Sequence, residues 1–305
     1  MIIFDGIRTA ADKELALVTQ VAELCAAGKQ VTIGAIVFTQ DAGSKLYTRL
    51  KREAAERVGI AYVPQLFSIT DPVEQIRTQI QKFNTDAEIT GIIIQKPTKK
   101  IWQEALEQTK VNTLTYESAD FSTWWTALTS QIDPKKDVDG LHPSTLAAIA
   151  ENTWQEQGRV LPATCQAVLE IIEMAEAVVG SLPSGKIAIV GKSDLLGTPL
   201  YDVLRNQGRE VVLLTRKGLE QRMLEGQRLL DAGVVVSATG VAGLITADLV
   251  QEGVVVVDVG EPRPDVDTTS IKEKAAFLTP VPGGVGPMTV VSLLENAVKL
   301  VTPAQ

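Results

Sequence analysis

The sequence predicts an α/β protein with two αβ domains, the second of which contains a Rossmann-like parallel sheet. Three observations support this fold class. The 305 residues are enough for about two domains, each with a real core. Apolar, strand-like segments alternate with amphipathic, helical segments in both halves of the chain. In the second half a glycine-rich turn joins a strand to a helix, and consecutive β–α–β units give right-handed crossovers and parallel strands.

The first half of the chain begins with apolar residues at helical spacing, which predict a helix over residues 9–27 that ends at Gly28. Asp71 and Pro72 begin another helix, in which Asp71 is the expected N-cap and Glu74 completes a capping box. The other predicted elements are a helix over 44–58 that Gly59 ends, and strands over 31–38, 60–66 and 89–94.

A polar segment with several tryptophans separates the first half from the second, where strands and helices alternate again. Residues 98–131 hold Trp102, Trp124 and Trp125 among many polar residues. We predict an irregular excursion with one or two short helices, and we favour a tolerated surface insertion over a lid or an oligomer contact. The elements predicted beyond it are helices over 165–179, 197–207 and 288–301, and strands over 186–190, 210–215, 233–237 and 254–259. The predicted domains are residues 1–145 with 286–305, and residues 146–285.

Charge and apolar content argue against two kinds of partner. The formal net charge is −8, whereas a nucleic-acid binder usually carries a basic patch, so we expect no nucleic acid. No apolar run approaches the roughly 20 residues that span a bilayer. The residues that follow Met1 show no signal-peptide pattern. We therefore expect a cytoplasmic protein with no membrane partner.

Cysteine and histidine usage limits the chemistry. The two cysteines, Cys25 and Cys165, suggest neither a disulfide framework nor a zinc site, and we expect both to be small buried residues. His142 is the single histidine, which excludes a His-rich metal site and makes a Ser-His-Asp triad improbable. Because a proline follows it, we interpret His142 as a hydrogen-bonding residue of a loop. We predict no metal, so the chemistry falls to Lys, Tyr, Asp, Gln or backbone groups, with a cofactor where one is needed.

A phosphate-binding turn is predicted at Gly191-Lys192-Ser193-Asp-Leu-Leu-Gly197, between a strand and a helix. Glycines let the backbone turn tightly and approach a pyrophosphate, and the helix N-terminus offers free N–H groups. The spacing differs from Gly-x-Gly-x-x-Gly. From the spacing alone, a glycine-rich turn without any ligand is an equally good interpretation.

The next predicted strand bears on the choice of cofactor. A strand that binds NAD usually ends in Asp or Glu, which bonds the ribose 2′-hydroxyl. Here the strand ends in Thr215, Arg216 and Lys217, with no acid at its tip. These two cations, together with Lys192, suit a 2′-phosphate and favour NADP over NAD. The alternative is that all three are solvated surface cations.

Candidate acid/base residues lie in the first half. Tyr47 and Lys51 are one helical turn apart, and a lysine whose pKa is lowered by burial can transfer protons. Gln95 follows the strand over 89–94, at the carboxyl edge where ligands bind in open αβ sheets. Asp139 can accept two hydrogen bonds from an amidine-like ring edge. Asp137 is expected to cap the turn, and an isolated Tyr-x-x-x-Lys pattern is more often a surface pair.

Six segments stand out in chain order: 44–51, 95–97, 136–143, 191–199, 258–260 and 279–289. The most specific are the Lys-Asp-Val-Asp-Gly sequence at 136–140 and the glycine-rich sequence at 279–289. Together these segments resemble the bifunctional methylenetetrahydrofolate dehydrogenase/methenyltetrahydrofolate cyclohydrolase family, over nearly the whole chain.

The resemblance implies NADP-dependent oxidation of 5,10-methylenetetrahydrofolate to the methenyl form, followed by its hydrolysis to 10-formyltetrahydrofolate. It implies one-carbon metabolism, purine biosynthesis, two domains flanking a cleft, and a homodimer formed through the cofactor domain. For catalysis, the resemblance implies that Lys51 is the catalytic lysine and that Gln95 orients it. For the folate, it implies that Tyr47 positions the substrate, that Asp139 binds the pterin's amino edge, and that Pro282, Gly283 and Gly284 form a wall. For the cofactor, it implies a cradle formed by Gly191, Ser193 and Gly197 and a nicotinamide contact from Thr164.

Several positions depart from the family pattern, at residues 96–99, 163–165 and 261–262, and the segment after Gln95 is longer than usual. These departures leave two alternatives open. One is a monofunctional dehydrogenase or cyclohydrolase on the same scaffold, and another is a non-catalytic folate- or nucleotide-binding homologue. A generic hydroxyacid dehydrogenase is disfavoured, because such enzymes commonly employ a His–Asp or His–Glu pair.

Overall fold

The computed structural model describes residues 1–109 and 120–302, which form two compact units. Its strands are β1 (Ile2–Ile3), β2 (Thr32–Phe38), β3 (Ala61–Phe67), β4 (Gly91–Ile94), β5 (Ile187–Val190), β6 (Val211–Leu214), β7 (Val234–Ser237), β8 (Val255–Asp258) and β9 (Phe277–Leu278). Its helices are α1 (Gly6–Ala26), α2 (Ala42–Val58), α3 (Val73–Thr85), α4 (Lys99–Thr109), α5 (Phe121–Thr129), α6 (Pro143–Ala150), α7 (Ala163–Val179), α8 (Gly197–Asn206), α9 (Arg216–Leu224), α10 (Thr268–Ile271) and α11 (Val285–Val301).

The first unit, here called the three-stranded unit, has the strand order β3-β2-β4, with both pairings parallel. It comprises Lys13–Ala148, Trp154–Val160 and Leu293–Gln305. Its central strand β2 is buried along its whole length, as expected for an apolar strand covered on both faces.

The second unit, here called the six-stranded unit, has the strand order β1-β9-β8-β7-β5-β6, and every pairing is parallel. It comprises Met1–Asp12, Ile149–Thr153 and Leu161–Ser292. The central strands β5, β7 and β8 are completely buried. The predicted α/β class, with a Rossmann-like sheet in the second half, is confirmed.

The two compact units differ from the predicted domain limits at both ends of the chain. β1 joins the six-stranded unit, because the Ile2 amide donates to Ala276 at 2.7 Å and the Phe4 amide to Leu278 at 3.0 Å. The segment 286–292 also belongs to that unit rather than to the three-stranded one. Strands of two residues, such as β1 and β9, are too short to show a period in the sequence.

The ends of α2 follow the local sequence. Asp41 is its N-cap, and the side chain accepts a hydrogen bond from the Ser44 amide at 3.1 Å. Gly59 ends the helix as predicted, with φ of +86° and its N–H donating to Ala55 and Glu56.

The N-terminus of α3 differs from the prediction. Its N-cap is Pro72, with no side-chain cap bond. Asp71 instead accepts a hydrogen bond from the Ser68 amide at 2.7 Å, in the turn that precedes the helix. A short acidic side chain can cap its own turn as readily as a helix, so the predicted capping box was wrong.

The tryptophans of the segment 98–131 are part of the core, so the interpretation as a surface insertion is wrong for the described residues 98–109 and 120–131. Trp102, Trp124 and Trp125 are all buried, at 5%, 1% and 4% exposed. The Trp124 ring lies 5.1 Å from that of Phe38, at the carboxyl end of β2. Two short helices, α4 and α5, carry these side chains, as predicted; residues 110–119 lie outside the described part of the chain.

Three further findings concern the cysteines, metal-binding clusters and membrane-spanning helices. Cys165 is buried as expected, whereas Cys25 is exposed on α1, which corrects the prediction for that residue. Within the described ranges, no cluster of three or more His, Cys, Asp or Glu side chains has a metal-binding arrangement. Of the helices described, none is both long and apolar enough to cross a membrane.

Candidate active site

A buried lysine and a glutamine meet in the three-stranded unit. Lys51 lies on α2 and is only 5% exposed, and its Nζ donates to Gln95 Oε1 at 2.9 Å. Gln95 extends β4, since its amide donates to the Ile36 carbonyl of the adjacent strand at 2.9 Å. The pairing with β2 therefore fixes the backbone of Gln95, whose side chain accepts the hydrogen bond from Lys51. The two residues that the sequence placed far apart form one contact.

The environment of Lys51 favours its neutral form. Burial lowers the pKa of the Lys51 amine below its ordinary value, and the nearby Asp139 carboxylate opposes this by raising it. Desolvation is the larger effect, as expected for an ammonium removed from water. The amine can therefore lose its proton more readily than a surface lysine can.

The loop that carries Asp139 is held against β4. The Ile92 amide donates to the Lys136 carbonyl at 2.6 Å, and the Val138 amide donates to the Ile92 carbonyl at 3.3 Å. Asp137, on this loop, is buried, and its carboxylate accepts from the His142 amide at 2.8 Å. Burial raises the pKa of Asp137. The turn-capping role predicted for Asp137 is confirmed.

His142 is a loop residue, as predicted. Its Nδ1 accepts a hydrogen bond from the Ser144 amide at 3.0 Å. Burial lowers the pKa of His142, so its neutral imidazole is favoured. The hydrogen bond from Ser144 to the neutral ring gives His142 a structural role within its own turn.

Tyr47 and Tyr62 are the two tyrosines on the elements that surround Lys51. Tyr47 lies one turn before the lysine on α2 and is half-buried. The Tyr62 hydroxyl, from β3, is buried without a hydrogen-bond partner among the described residues. Its pKa is raised by burial and further by the Asp139 charge. Sequence reasoning missed Tyr62, because a tyrosine in a strand carries no motif.

The glycine turn of the six-stranded unit requires glycine at both predicted positions. Gly191 has φ of +121°, and a Cβ there would lie 2.2 Å from the Ala238 carbonyl oxygen. A Cβ on Gly197 would lie 1.8 Å from the Gly191 carbonyl oxygen. Ser193 accepts from the Gly197 amide through Oγ at 3.4 Å. The packing of the turn against neighbouring backbone atoms therefore excludes a side chain at both positions.

The predicted cations follow the neighbouring strand. β5 and β6 are adjacent, with Val190 opposite Leu214, so the glycine turn and Arg216 follow adjacent strand ends. Arg216 and Lys217 are exposed at the start of α9, and Arg216 Nε bonds Glu220 at 2.8 Å. Lys192 is exposed on the glycine turn.

Four further predicted residues lie in the six-stranded unit. Thr164 is half-buried in the first turn of α7. Pro282 follows a cis peptide bond and is exposed, and Gly283 has φ of +101°. A Cβ on Gly284 would lie 2.6 Å from the Pro280 carbonyl oxygen, so this turn also depends on glycine.

A buried carboxylate holds the altered loop at 259–266. Asp258 Oδ1 accepts from the amides of Gly260 at 2.8 Å and Asp265 at 3.1 Å, and its Oδ2 accepts from Val266 at 3.0 Å. Burial raises the pKa of Asp258 to about 6, and the neighbouring Asp265 adds to this. Glu261 and Pro262, where the sequence departs from the pattern, are joined by a cis peptide bond in this loop.

The fold and these two sets of residues define a two-unit αβ protein with a dinucleotide-type glycine turn. Two family models match it: the NAD(P)-binding domain of tetrahydrofolate dehydrogenase/cyclohydrolase over residues 162–305, and the catalytic domain of the same family over residues 4–114. The bifunctional protein FolD of Lactobacillus helveticus is 34% identical over 266 residues, which covers 85% of this chain and 83% of the relative. That of Staphylococcus aureus is 30% identical and covers 96% and 94%.

Solved structures agree with this comparison. The bifunctional FolD methylenetetrahydrofolate dehydrogenase/cyclohydrolase of Campylobacter jejuni has a TM-score of 0.82 and 26% identity, over 99% of this chain and 98% of that one. The Trypanosoma brucei enzyme, solved with NADP cofactor and an inhibitor, has a TM-score of 0.80 and 25% identity, over 98% and 97%. The chain belongs to the tetrahydrofolate dehydrogenase/cyclohydrolase family, and the predicted resemblance is confirmed.

Proposed function

We propose that this chain oxidises 5,10-methylenetetrahydrofolate with NADP⁺ and hydrolyses the methenyl product to 10-formyltetrahydrofolate. The observation that carries the proposal is the buried Lys51 amine, held by Gln95 at 2.9 Å with its pKa lowered by burial. A surface lysine would be protonated at neutral pH and could not accept a proton. The membership of the family, with its catalytic and NAD(P)-binding domains, supports the same reaction.

The oxidation requires little acid/base catalysis from the protein. The methylene carbon loses a hydride, and the two folate nitrogens stabilise the cation that remains. NADP⁺ supplies the hydride acceptor when bound. The residues proposed to hold its phosphates are Gly191, Ser193 and Gly197, with Thr164 beside the nicotinamide. In the three-stranded unit, the residues proposed to contact the folate are Tyr47 and Asp139.

The hydrolysis depends on proton transfer. Water adds to the methenyl carbon and loses one proton, a proton reaches the folate nitrogen as the carbon–nitrogen bond breaks, and the remaining hydroxyl proton leaves to solvent as the formyl C=O forms. In this proposal neutral Lys51 accepts the first proton and returns it to the departing nitrogen. Gln95 holds the amine in place for both transfers, and Asp139 limits how far the pKa of Lys51 falls.

Lys51→Met tests the proposal. We expect the hydrolysis to be lost while oxidation remains measurable, because only the hydrolysis requires the amine. Both steps are followed by absorbance, with methenyltetrahydrofolate supplied directly for the second. Lys45→Met, which removes an exposed lysine from the same helix, is the matched control. Equal loss of both steps in Lys51→Met would contradict the assigned role, and a wild-type chain without either activity would contradict the function.

The preference for NADP is proposed from the strand end at β6. Arg216 and Lys217 follow the strand next to the glycine turn, with no acid between them and the strand. We expect Arg216→Ser with Lys217→Ser to lower kcat/KM for NADP⁺ by roughly tenfold or more and to change that for NAD⁺ little, since the charge-assisted bonds to a phosphate are lost. A parallel loss with both cofactors would contradict the preference.

Assembly and location are also proposed from the family resemblance. We propose a homodimer formed through the cofactor domain, in the cytoplasm, acting in the one-carbon supply of purine biosynthesis. Sedimentation equilibrium tests the assembly, since a dimer has twice the 32.8 kDa mass of the chain. A mass of one chain across the concentration range would contradict it.

A further inference from the structure

A buried carboxylate connects the helix of Lys51 to the segment that carries Gln95. Asp41 is 4% exposed, and its Oδ1 accepts from the Ser44 amide in the first turn of α2 at 3.1 Å. Its Oδ2 accepts from the Thr98 amide at 3.0 Å. One side chain therefore bonds two chain segments that are far apart in sequence.

A second contact lies at the same junction. Ser44 Oγ donates to the Lys96 carbonyl at 3.4 Å, between Gln95 and the residue that Asp41 holds. Ser44 is itself buried. The first turn of α2 is thus fastened to segment 95–98 by one side-chain oxygen of Asp41 and by the Ser44 hydroxyl.

The junction at Asp41 and Ser44 is joined to the contact between Lys51 and Gln95 by a short stretch of the same helix. Lys51 lies seven residues after Ser44 on the same helix, which corresponds to about 10 Å of helix. The helix and segment 95–98 therefore meet at the junction formed by Asp41 and Ser44 and again where Lys51 donates to Gln95. If the bond between Asp41 and Thr98 is lost, only the Ser44 and Lys51 contacts remain to hold the two segments together.

We propose that Asp41 is a positioning residue for the hydrolysis, keeping the Lys51 amine dry and within hydrogen-bonding distance of Gln95. The inference rests on the proposed function of Lys51. A helix cap needs one acceptor, and the Oδ1 contact with Ser44 provides it. The second oxygen, bonded to Thr98, serves the junction and not the helix.

Asp41→Ser separates these two uses of the side chain. Serine is as good an N-cap as aspartate, so α2 retains its cap, but one hydroxyl cannot also hold the Thr98 amide. We expect the helix to loosen from segment 95–98 and water to reach Lys51. The pKa of the amine then rises, and the pH at which hydrolysis is half-maximal moves upward. The kcat for hydrolysis at neutral pH falls by roughly tenfold, because a smaller fraction of the amine is then neutral.

Thr98→Pro removes the same contact from the other side, because proline has no N–H to donate. We expect it to move the pH profile of hydrolysis in the same direction as Asp41→Ser, and the double variant to move it no further. The matched control is Asp120→Ser on α5. Asp120 also caps a helix, and its carboxylate accepts from the Ser122 and Thr123 amides within that helix.

The decisive measurements are the pH dependence of kcat for hydrolysis and the ¹³Cε shift of Lys51 titrated by NMR. Upward movement of both in Asp41→Ser and Thr98→Pro, with oxidation changed by less than about twofold, supports the positioning role. An unchanged Lys51 titration in folded variants, or the same movement in Asp120→Ser, overturns it. Because the NMR titration needs no turnover, it tests Asp41 even if the wild-type chain proves to have no hydrolase activity.

Discussion

At the scale of single residues, the charge state of Lys51 results from two opposed effects. Burial lowers the pKa of the amine, and the Asp139 carboxylate raises it by a smaller amount. The hydrogen bond to Gln95 fixes the position of the amine without supplying a charge. Since a hydrolase needs the neutral amine, its rate should rise as the pH increases through this lowered pKa.

Asp139→Asn tests this balance. Removing the carboxylate removes the effect that raises the pKa of Lys51, so the midpoint of the pH profile for hydrolysis should move to lower pH. The measurement is kcat for methenyltetrahydrofolate at saturating substrate across the pH range. Asp133→Asn, on the same loop, is the control and should leave the midpoint unchanged. A shift to higher pH in Asp139→Asn would contradict the electrostatic assignment.

Residue identities were the part of the site most readable from the sequence. Lys51, Gln95 and Asp139 stand in motifs, and their proposed roles follow from those motifs. Asp41 and Tyr62 could not be found in this way, because their importance arises from burial and from partners distant in sequence. Asp41 reads as an ordinary N-cap, and only the fold shows that its second oxygen bonds Thr98.

At the scale of elements, the glycine turn between β5 and α8 shows how backbone geometry decides a binding site. Gly197 is packed so closely that a Cβ would lie 1.8 Å from the Gly191 carbonyl oxygen. No side chain can be accommodated there unless the turn opens. Opening would displace the first N–H groups of α8, which are the groups proposed to face the phosphates.

Gly197→Ala should therefore destabilise the chain and weaken NADP binding together. The added Cβ should lower the free energy of unfolding, measured with urea, by about 2 kcal/mol or more, and the affinity for NADP should fall as well. Gly208→Ala is the comparison, since its φ of +78° strains an alanine through the backbone alone and nothing lies within 4 Å of the added Cβ. The control should lose about 1 kcal/mol and keep its NADP affinity. Normal NADP binding by Gly197→Ala would show that this turn is not the cradle.

At the scale of the whole molecule, distant parts of the chain complete each unit. β1, at the start of the chain, pairs with β9 in the six-stranded sheet. The end of the chain belongs to the three-stranded unit, where the buried Asn296 side chain on α11 donates to the Val138 carbonyl at 2.9 Å. Val138 lies between Asp137 and Asp139 in the loop beside β4. The last helix therefore supports the loop that carries Asp139.

Asn296→Leu should weaken folate binding through this support. The Val138 carbonyl loses its buried donor, so we expect a loss of about 1–3 kcal/mol in stability and a higher KM for the folate. The comparison is Asn206→Leu in the six-stranded unit, where the Asn206 amide donates to the Ile149 carbonyl at 3.1 Å. That variant should lose similar stability while keeping the KM. An unchanged KM in Asn296→Leu would show that the loop does not depend on α11.

The sequence by itself determined the alternation of strands and helices, the need for glycine at the turns, and the motifs that identify the family. These features are local, since they depend on side-chain period and on backbone conformation over a few residues. Only the tertiary structure decided that Trp124 packs on Phe38, that β1 belongs with β9, and that Asp41 bonds Thr98. Contacts between residues far apart in sequence leave no local pattern, because burial and partner choice are fixed only when the segments pack together.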